Sequence, residues 1–404
     1  MKQVIKCGAL FTSVDESVHK DMAVCIDGNR ITAVCPMAEA DTEGAEIIDL
    51  SDKFVMPGLI DAHVHTSADG KGGGFGGSAE TIGDVAFNSL VNAQKDLMAG
   101  FTSLRDECSN GFADVALRDA INAGKVTGPR MLVSGIAIGS TGGHADSHYA
   151  PHVTAGPVNA LVIDSPDEGR KAVRYNFKYG ADQVKIMATG GVLSFGDDPN
   201  ASDLTYEEMK AILDIANEHG HISSAHAHGA NGIKYAIRAG ITSIEHGMLM
   251  DDECVDMLAD TGTYLIPTII AAHQIVTHGR EGGMPEWAVR KAEQCLADHK
   301  EHLAKCRAKG VKIGFGTDAG TNFNEHGKQT LEFKLMVDYG FTPAQALIAA
   351  TRTNATMMKW IDKVGTLEAG KLADVVAFDK SPLEDIEIMQ QVSFVMKDGV
   401  VYKQ

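Results

Sequence analysis

The stretch LIDAHVHTS, from Leu59 to Ser67, ends an apolar run with two histidines, His63 and His65, one valine apart. Alternate residues of a strand share a face, so the two imidazoles point the same way. Neutral imidazoles this close suit one metal ion, each binding through a ring nitrogen. Two histidines hydrogen-bonded in a loop would explain the pair equally well. Other apolar runs end in the same manner, however. SSAHAHG carries His226 and His228, SIEHG carries His246, and GFGTDAG carries Asp318, whose carboxylate can bind a metal or take a proton from bound water. The 20 residues from His226 to His246 are one helix-plus-strand step, which places both at one level. A single histidine at a strand end is usually structural. Four or five on separate strands, together with an aspartate, form a metal-binding set.

Lys185 in QVKIMATGG lies inside a strand, on the alternating face with Met187 and aimed at the same end. A desolvated ammonium beside metal ions is disfavoured, so the amine must be neutralised unless it snorkels to the rim. Carboxylation by carbon dioxide would make it an anionic ligand able to bridge two metals. Schiff-base chemistry at a lysine of lowered pKa, as in a lyase, is the other route. The histidines favour the bridge, because Schiff-base chemistry has no use for four imidazoles.

Side chains so far apart in the chain meet only on a scaffold that returns them to one end. Residues 57–368 contain eight short apolar runs: GLIDAHVH, FTSLRD, RMLVSGIA, QVKIMATG, HISSAHAHG, ITSIEHG, TYLIPT and VKIGFGTDAG. Helical patterns separate most of them. The clearest is TYEEMKAILDIANEHG, with a Thr205–Glu208 capping box and an apolar stripe of Met209, Ile212, Leu213 and Ala216. Eight strands alternating with helices predict an α/β fold, a (β/α)8 TIM barrel, with its active site at the C-terminal strand ends. An open doubly wound sheet lacks support, since no G-x-G-x-x-G follows a strand. Residues 1–56 and 369–404 are instead rich in short β runs with Asp-Gly turns, and predict one small β-sandwich built from both termini. GKGGGFGG (70–77) lacks the lysine and hydroxyl residue of a phosphate loop and reads as a loop over the barrel mouth.

Composition narrows the partners. Of the 404 residues, 44% are hydrophobic and 22% charged, and the net charge of −18 repels nucleic-acid backbones and anionic membranes. The seven cysteines are scattered and never form C-x-x-C, as in a reduced cytosolic protein. No secretory apolar run opens MKQVIKCGALFTSVDE, and no apolar run of about 20 residues appears, so a cytoplasmic location is expected.

The set His63, His65, Lys185, His226, His246 and Asp318, between PGLIDAHVH and GKLADVVAFD, resembles the amidohydrolase superfamily across nearly the whole chain. LMAGFTSLRD, TGGHADSH, KIMATGGVLS, SAHAHG and SIEHG are similar to its prolidase-like branch of zinc-dependent Xaa-Pro and Xaa-Arg dipeptidases and carboxypeptidases. The resemblance implies two Zn2+ per chain, bridged by carboxylated Lys185 and a hydroxide. His63 and His65 would hold one metal, His226 and His246 the other, with Asp318 as ligand and general base. His144 of TGGHAD would bind the carbonyl oxygen and share in catalysis, and His228 would hold a substrate carboxylate. The expected reaction is hydrolysis of a dipeptide or N-acyl amino acid beside a free C-terminal carboxylate. Opening of a cyclic amide, as in hydantoinase- or imidazolonepropionase-like relatives, is the alternative. The branch also implies a homo-oligomer. Glu107, Asp146, Asp197 and Asp198 read as mouth-loop acids that could select a basic side chain, while His148 and His152 of HADSHYAPH receive no role.

Overall fold

The computed structural model describes residues 2–71, 80–147, 152 and 160–404. Most of the glycine-rich stretch 70–77 lies outside them, as does His148. The described strands are β1 (Lys2–Phe11), β2 (Val18–Asp27), β3 (Arg30–Pro36), β4 (Glu46–Pro57), β5 (Leu59–Val64), β6 (Phe101–Asp106), β7 (Arg130–Val133) and β8 (Ala137–Gly139). They continue with β9 (Ala160–Val162), β10 (Gln183–Met187), β11 (Ile222–Gly229), β12 (Ser243–Leu249), β13 (Tyr264–Ile266), β14 (Val375–Phe378), β15 (Val392–Lys397) and β16 (Val400–Lys403).

The two ends of the chain meet in one sheet. Strands from both enter a seven-stranded sheet in the order β16-β15-β14-β4-β1-β2-β3, around an apolar cluster that includes Ile5, Leu10, Val24, Ile26, Leu50, Val55 and Phe394. Its hairpins turn where the Asp-Gly signals predicted. Asp27 pairs with Arg30 across Gly28–Asn29, and between β15 and β16 Asp398 and Gly399 both take positive φ, 50° and 74°. That backbone twist matches the twist of the flanking strands.

β4 passes into β5 through Gly58 alone. A Cβ there would lie 2.2 Å from Thr102 Oγ1, so only glycine permits the close approach of β5 to β6. Arg130, at the start of β7, ties the two units together through Asp374 (2.6 Å) and Asp398 (2.8 Å).

The middle of the chain is parallel. One sheet runs β5-β6-β7 and another β13-β12-β11-β10-β8-β9. Helices lie between successive strands, among them Tyr206–Glu218, whose Thr205–Glu208 capping box and buried stripe are those expected. The Asp182 amide donates to Val133 O (2.8 Å), linking β7 to the start of β10. On the other side, parallel bridges join Leu265 to Ile313 and Val64 to Ala319. Segment 311–319 therefore lies between β13 and β5.

Two of the eight expected runs are not continuous strands. RMLVSGIA breaks at Gly135, whose φ of 69° and contact with the Phe112 ring separate β7 from β8. VKIGFGTDAG makes only isolated bridges, because its glycines are pressed against neighbours. A Cβ on Gly316 would meet Ile266 Cγ2 at 2.4 Å and His63 Cβ at 3.0 Å. A side chain supplies part of the missing ladder: Asn354 donates to Ile60 O (2.8 Å) and Phe315 O (2.7 Å) and accepts from Phe315 N (3.1 Å). At roughly 1 kcal/mol per hydrogen bond, plus the cost of stranding buried backbone groups, Asn354→Ala should lower unfolding stability by about 2–4 kcal/mol. Denaturant titration checks this, and a loss below about 0.5 kcal/mol would show that Asn354 does not staple the two segments.

Candidate metal centre

The C-terminal ends of the parallel strands bring the predicted residues to one place. β5 carries Asp61 and His63 on one face, with His65 immediately after its end; β10 carries Gln183 and Lys185; β11 carries Ser224, His226 and His228. All are buried, as are Glu245 and His246 of β12. Strand alternation would send Glu245 and His246 to opposite faces, yet both reach the cluster. His246 has φ 70°, and Asp318 at the end of 311–319 has φ 60°. Non-glycine residues rarely occupy this left-handed region and do so at a cost of roughly 1–3 kcal/mol. Here the turn re-aims each side chain inward.

His63 Nε2 lies 3.5 Å from Asp318 Oδ1, and His65 Nε2 lies 3.1 Å from the same oxygen. Ligand atoms of His63, His246 and Asp318 fall within 4.8 Å of one another, a group able to hold a metal ion. The His226 and His246 rings are 4.7 Å apart, and His228 lies 4.8 Å from His226 and 5.1 Å from His246. His144 stacks on His226 at 4.0 Å, over Gly191, where any Cβ would strike its ring. His152, by contrast, is exposed.

Lys185 does not snorkel. It is 1% exposed, with Nζ 3.5 Å from His63 Nε2 and 3.1 Å from Glu107 Oε2. Glu107 is therefore a buried counter-ion, not a mouth-loop selector of basic side chains. The other acids considered for that task are also engaged. Asp197 binds Lys291 (2.7 Å), Ser194 (2.5 Å) and the Gly191 amide (2.9 Å). Asp146 accepts from Gly142 N, and exposed Asp198 accepts from Asn200 N.

Beneath the histidines lies a charge network that sequence reasoning missed. Arg105, fully buried, reaches Glu107 Oε1 (2.9 Å), Glu245 Oε1 (2.8 Å), Ser243 Oγ (2.9 Å) and Ala62 O (2.5 Å). Glu107 also accepts from Gln183 (3.1 Å) and Ser224 (2.5 Å). The available signal was the alternation of Arg105 and Glu107 at the end of the β run FTSLRDE. Asp61 was likewise missed: it accepts from His63 N and from Thr317 N and Oγ1, tying β5 to 311–319.

Outer partners fix the rings. His63 Nδ1 contacts Glu245 Oε2 (2.8 Å), His246 Nδ1 contacts Thr268 Oγ1 (2.6 Å), and His65 Nδ1 contacts Cys108 Sγ (3.5 Å). Each arrangement leaves Nε2 to face the cluster, as metal-ligating histidines require. Thr268 is placed in turn by Glu332, which accepts from the Ile269 and Ile270 amides at the start of the next helix.

Electrostatics favour ligand-competent states at His63, His226, His246 and Asp318. Burial, followed by the charge of Lys185, holds His63 well below its ordinary pKa; burial and neighbouring imidazoles do the same for His226 and His246. Burial opposes ionisation of Asp318, but His63, His65 and Lys185 outweigh it and keep the carboxylate charged. His65 is raised well above its usual range, against burial, by Cys108 and Asp318. Burial and neighbouring imidazoles push His228 down to about 3, and its Nδ1 is buried without a partner among the described residues. The neutral imidazoles of His63, His226 and His246 beside the Asp318 carboxylate are a donor set that fits divalent metal ions, and His65 would join them on giving up its proton.

Residues 54–402 match the model of the Amidohydrolase family. Ochratoxinase of Aspergillus niger is 33% identical over 384 residues, covering 86% of this chain and 75% of that protein. Among solved structures, a Xaa-Pro dipeptidase with methionine bound in its active site superposes with a TM-score of 0.94 at 36% identity, over the whole of both chains. A prolidase complexed with N-methylphosphonate-L-proline gives 0.92 at 32% identity, again over both whole chains. No helix among the described residues is long and apolar enough to cross a membrane. The match over nearly the full length, on the strands that gather these histidines, means that the chain belongs to the amidohydrolase family and hydrolyses amide C–N bonds.

Proposed function

We propose that this enzyme is a binuclear metallo-dipeptidase or carboxypeptidase, hydrolysing a peptide or N-acyl amino-acid bond beside a free C-terminal carboxylate. The observation that carries the reading is the buried cluster His63, His65, Lys185, His226, His246 and Asp318, with His228 presenting an unpartnered nitrogen at its edge. Two similar structures hold a methionine and a proline phosphonate, ligands that both present an amino-acid carboxylate. The parallel strands, with 311–319 between β13 and β5, are read as a (β/α)8 barrel, and the terminal sheet as the small sandwich.

His63 and His65 would hold one zinc ion and His226 and His246 the other, with Lys185, carboxylated, between them and Asp318 as a further ligand. A bound pair of divalent ions supplies Lewis acidity and makes water nucleophilic near neutral pH. The chain's own groups do the rest. Asp318, held ionised by its neighbours, takes the proton of the attacking water and passes it to the departing nitrogen. His144 faces the carbonyl oxygen. The Ser194 hydroxyl proton is committed to the Asp197 carboxylate (2.5 Å), so His144 Nδ1 carries the hydrogen shared with Ser194 Oγ (2.7 Å). The neutral ring then offers Nε2 only as an acceptor. His144, pushed down to about 4 chiefly by burial, can serve the oxygen only by becoming protonated as negative charge develops there. His228 Nδ1, the unpartnered buried atom, receives the substrate carboxylate.

Purified enzyme should contain about two zinc ions per chain, the complement of such a two-metal site. Lys185→Ala should lose most activity, and short carboxylic acids added with metal should restore part of it. An unmodified Lys185 in the mass spectrum of active, metal-loaded enzyme would rule out the carboxylated bridge.

Asp318→Asn should keep much of its metal, measured by elemental analysis, while kcat falls by roughly 10²–10⁴, the usual worth of general acid–base catalysis. A loss of metal in proportion to activity would instead make Asp318 a ligand only.

A library of dipeptides, N-acyl amino acids and lactams, read by amino-acid release, tests the substrate class. Amidating the substrate C-terminus should raise KM in the parent but add little in His228→Ala, because the two changes remove one contact. If C-terminal amides are cleaved as well as free dipeptides, the carboxypeptidase reading fails and cyclic amides become the better substrates to test.

A further inference from the structure

The outer flank of the parallel strands, away from the histidine cluster, carries a cavity lined by several cations. It has a volume of about 330 Å³ and lies between the helix Ile82–Met98, the turn 326–330 and the stretch 389–392 with Lys403 of the terminal sheet. Lys95, Lys328, Lys403 and His326 all line it. This concentration of cations stands out in a chain with 54 acidic residues against 36 lysines and arginines.

Two of these cations, Lys95 and Lys403, are poorly neutralised. Lys95 Nζ donates to Asn92 Oδ1 (3.0 Å) and Lys403 Nζ to Met98 O (3.3 Å). Both acceptors are neutral, and neither ammonium pairs with a carboxylate among the described residues. Of the three lysines on this wall, Lys328 alone has an acidic partner among the described residues, Glu325 (2.8 Å). Asp96 lies behind His326, spent on His326 Nδ1 (2.7 Å), Gly327 N (3.0 Å) and Gln329 Nε2 (2.6 Å). Met98, Met389 and Val392 complete the wall with apolar surface. Ammonium groups gathered around a concave, partly apolar space raise the local concentration of anions and supply charge-assisted hydrogen bonds to them.

We infer that this cavity binds a small anion carrying a carboxylate or phosphate group, held by Lys95 and Lys403 with Lys328 at its rim. The site is distinct from the hydrolytic centre but joined to it by two side chains. His326, buried in the cavity wall, turns its Nε2 to the carbonyl oxygen of His65 (3.1 Å). Asn92, the partner of Lys95, donates to the carbonyls of Thr66 and Ala68 (3.0 Å each) in the loop that follows. The cavity wall is therefore hydrogen-bonded to the backbone that carries His65.

Calorimetric titration of the metal-loaded protein with inorganic phosphate, and separately with acetate, tests the site. The parent should show a saturable component that is not displaced by substrate. In Lys95→Met/Lys403→Met its affinity should fall by about tenfold or more, equivalent to about 1.4 kcal/mol. A charge-matched control, Lys20→Met/Lys380→Met, removes two cations elsewhere and should leave the affinity unchanged. Anion binding at the metal centre is separable, since substrate displaces it and the lysine variants retain it. Stronger binding of phosphate or of acetate assigns the ligand class. The absence of any substrate-independent component, or an equal loss in the control pair, would overturn the inference. Should the double variant unfold, Lys403→Met alone carries the same comparison. None of these readings depends on which amide the enzyme hydrolyses.

Discussion

The ion pairing of Arg105 with Glu107 and Glu245 is the constraint on which the rest of the centre depends. All three are fully buried, where each unpaired charge would cost several kcal/mol. They are stable there only as a set: the guanidinium spans both carboxylates, and each carboxylate spends its other oxygen on the cluster above. Glu245 reaches His63, and Glu107 reaches Lys185. The charge pairs thus translate the packing of the strand interior into the orientation of His63 and Lys185. Replacing Arg105 by an apolar residue would strand two carboxylates at once, a larger effect than its own hydrogen bonds suggest.

The same network gives Lys185 a means of neutralisation that does not require modification. As an ammonium it is matched by Glu107 and repelled from His63 only by position. As a carboxylated ligand it would leave Glu107 with Arg105, Gln183 and Ser224 as partners. Glu107 therefore keeps partners of its own under either charge of Lys185.

Above the network, geometry comes from departures from regular strand structure. His246 and Asp318 are aimed by left-handed backbone at strand ends, and Gly316 lets β13 and β5 close around segment 311–319. Regularity lost there is recovered through side chains, Asn354 and Asp61 bonding to the backbone where ladder bonds are interrupted. A strictly regular strand would have kept its ladder and pointed Glu245 and His246 in opposite directions.

The alternation of strand and helix, the two-ended terminal sheet, its Asp-Gly hairpins and the capped helix Tyr206–Glu218 were all legible in the sequence, because each rests on local periodicity or turn chemistry. So were the histidines, Lys185 and Asp318, since polar residues closing apolar runs identify themselves. Tertiary structure alone decided their partners. Arg105 and Glu245 are 140 residues apart, and no local pattern says which buried acid a buried base will meet. It also decided that Glu107 is an interior counter-ion rather than a rim residue, and that Lys95, His326 and Lys403 share one cavity. Periodicity fixes which face a side chain occupies, but pairing across strands depends on register, backbone twist and the exclusion of water, and these exist only once the chain has closed on itself.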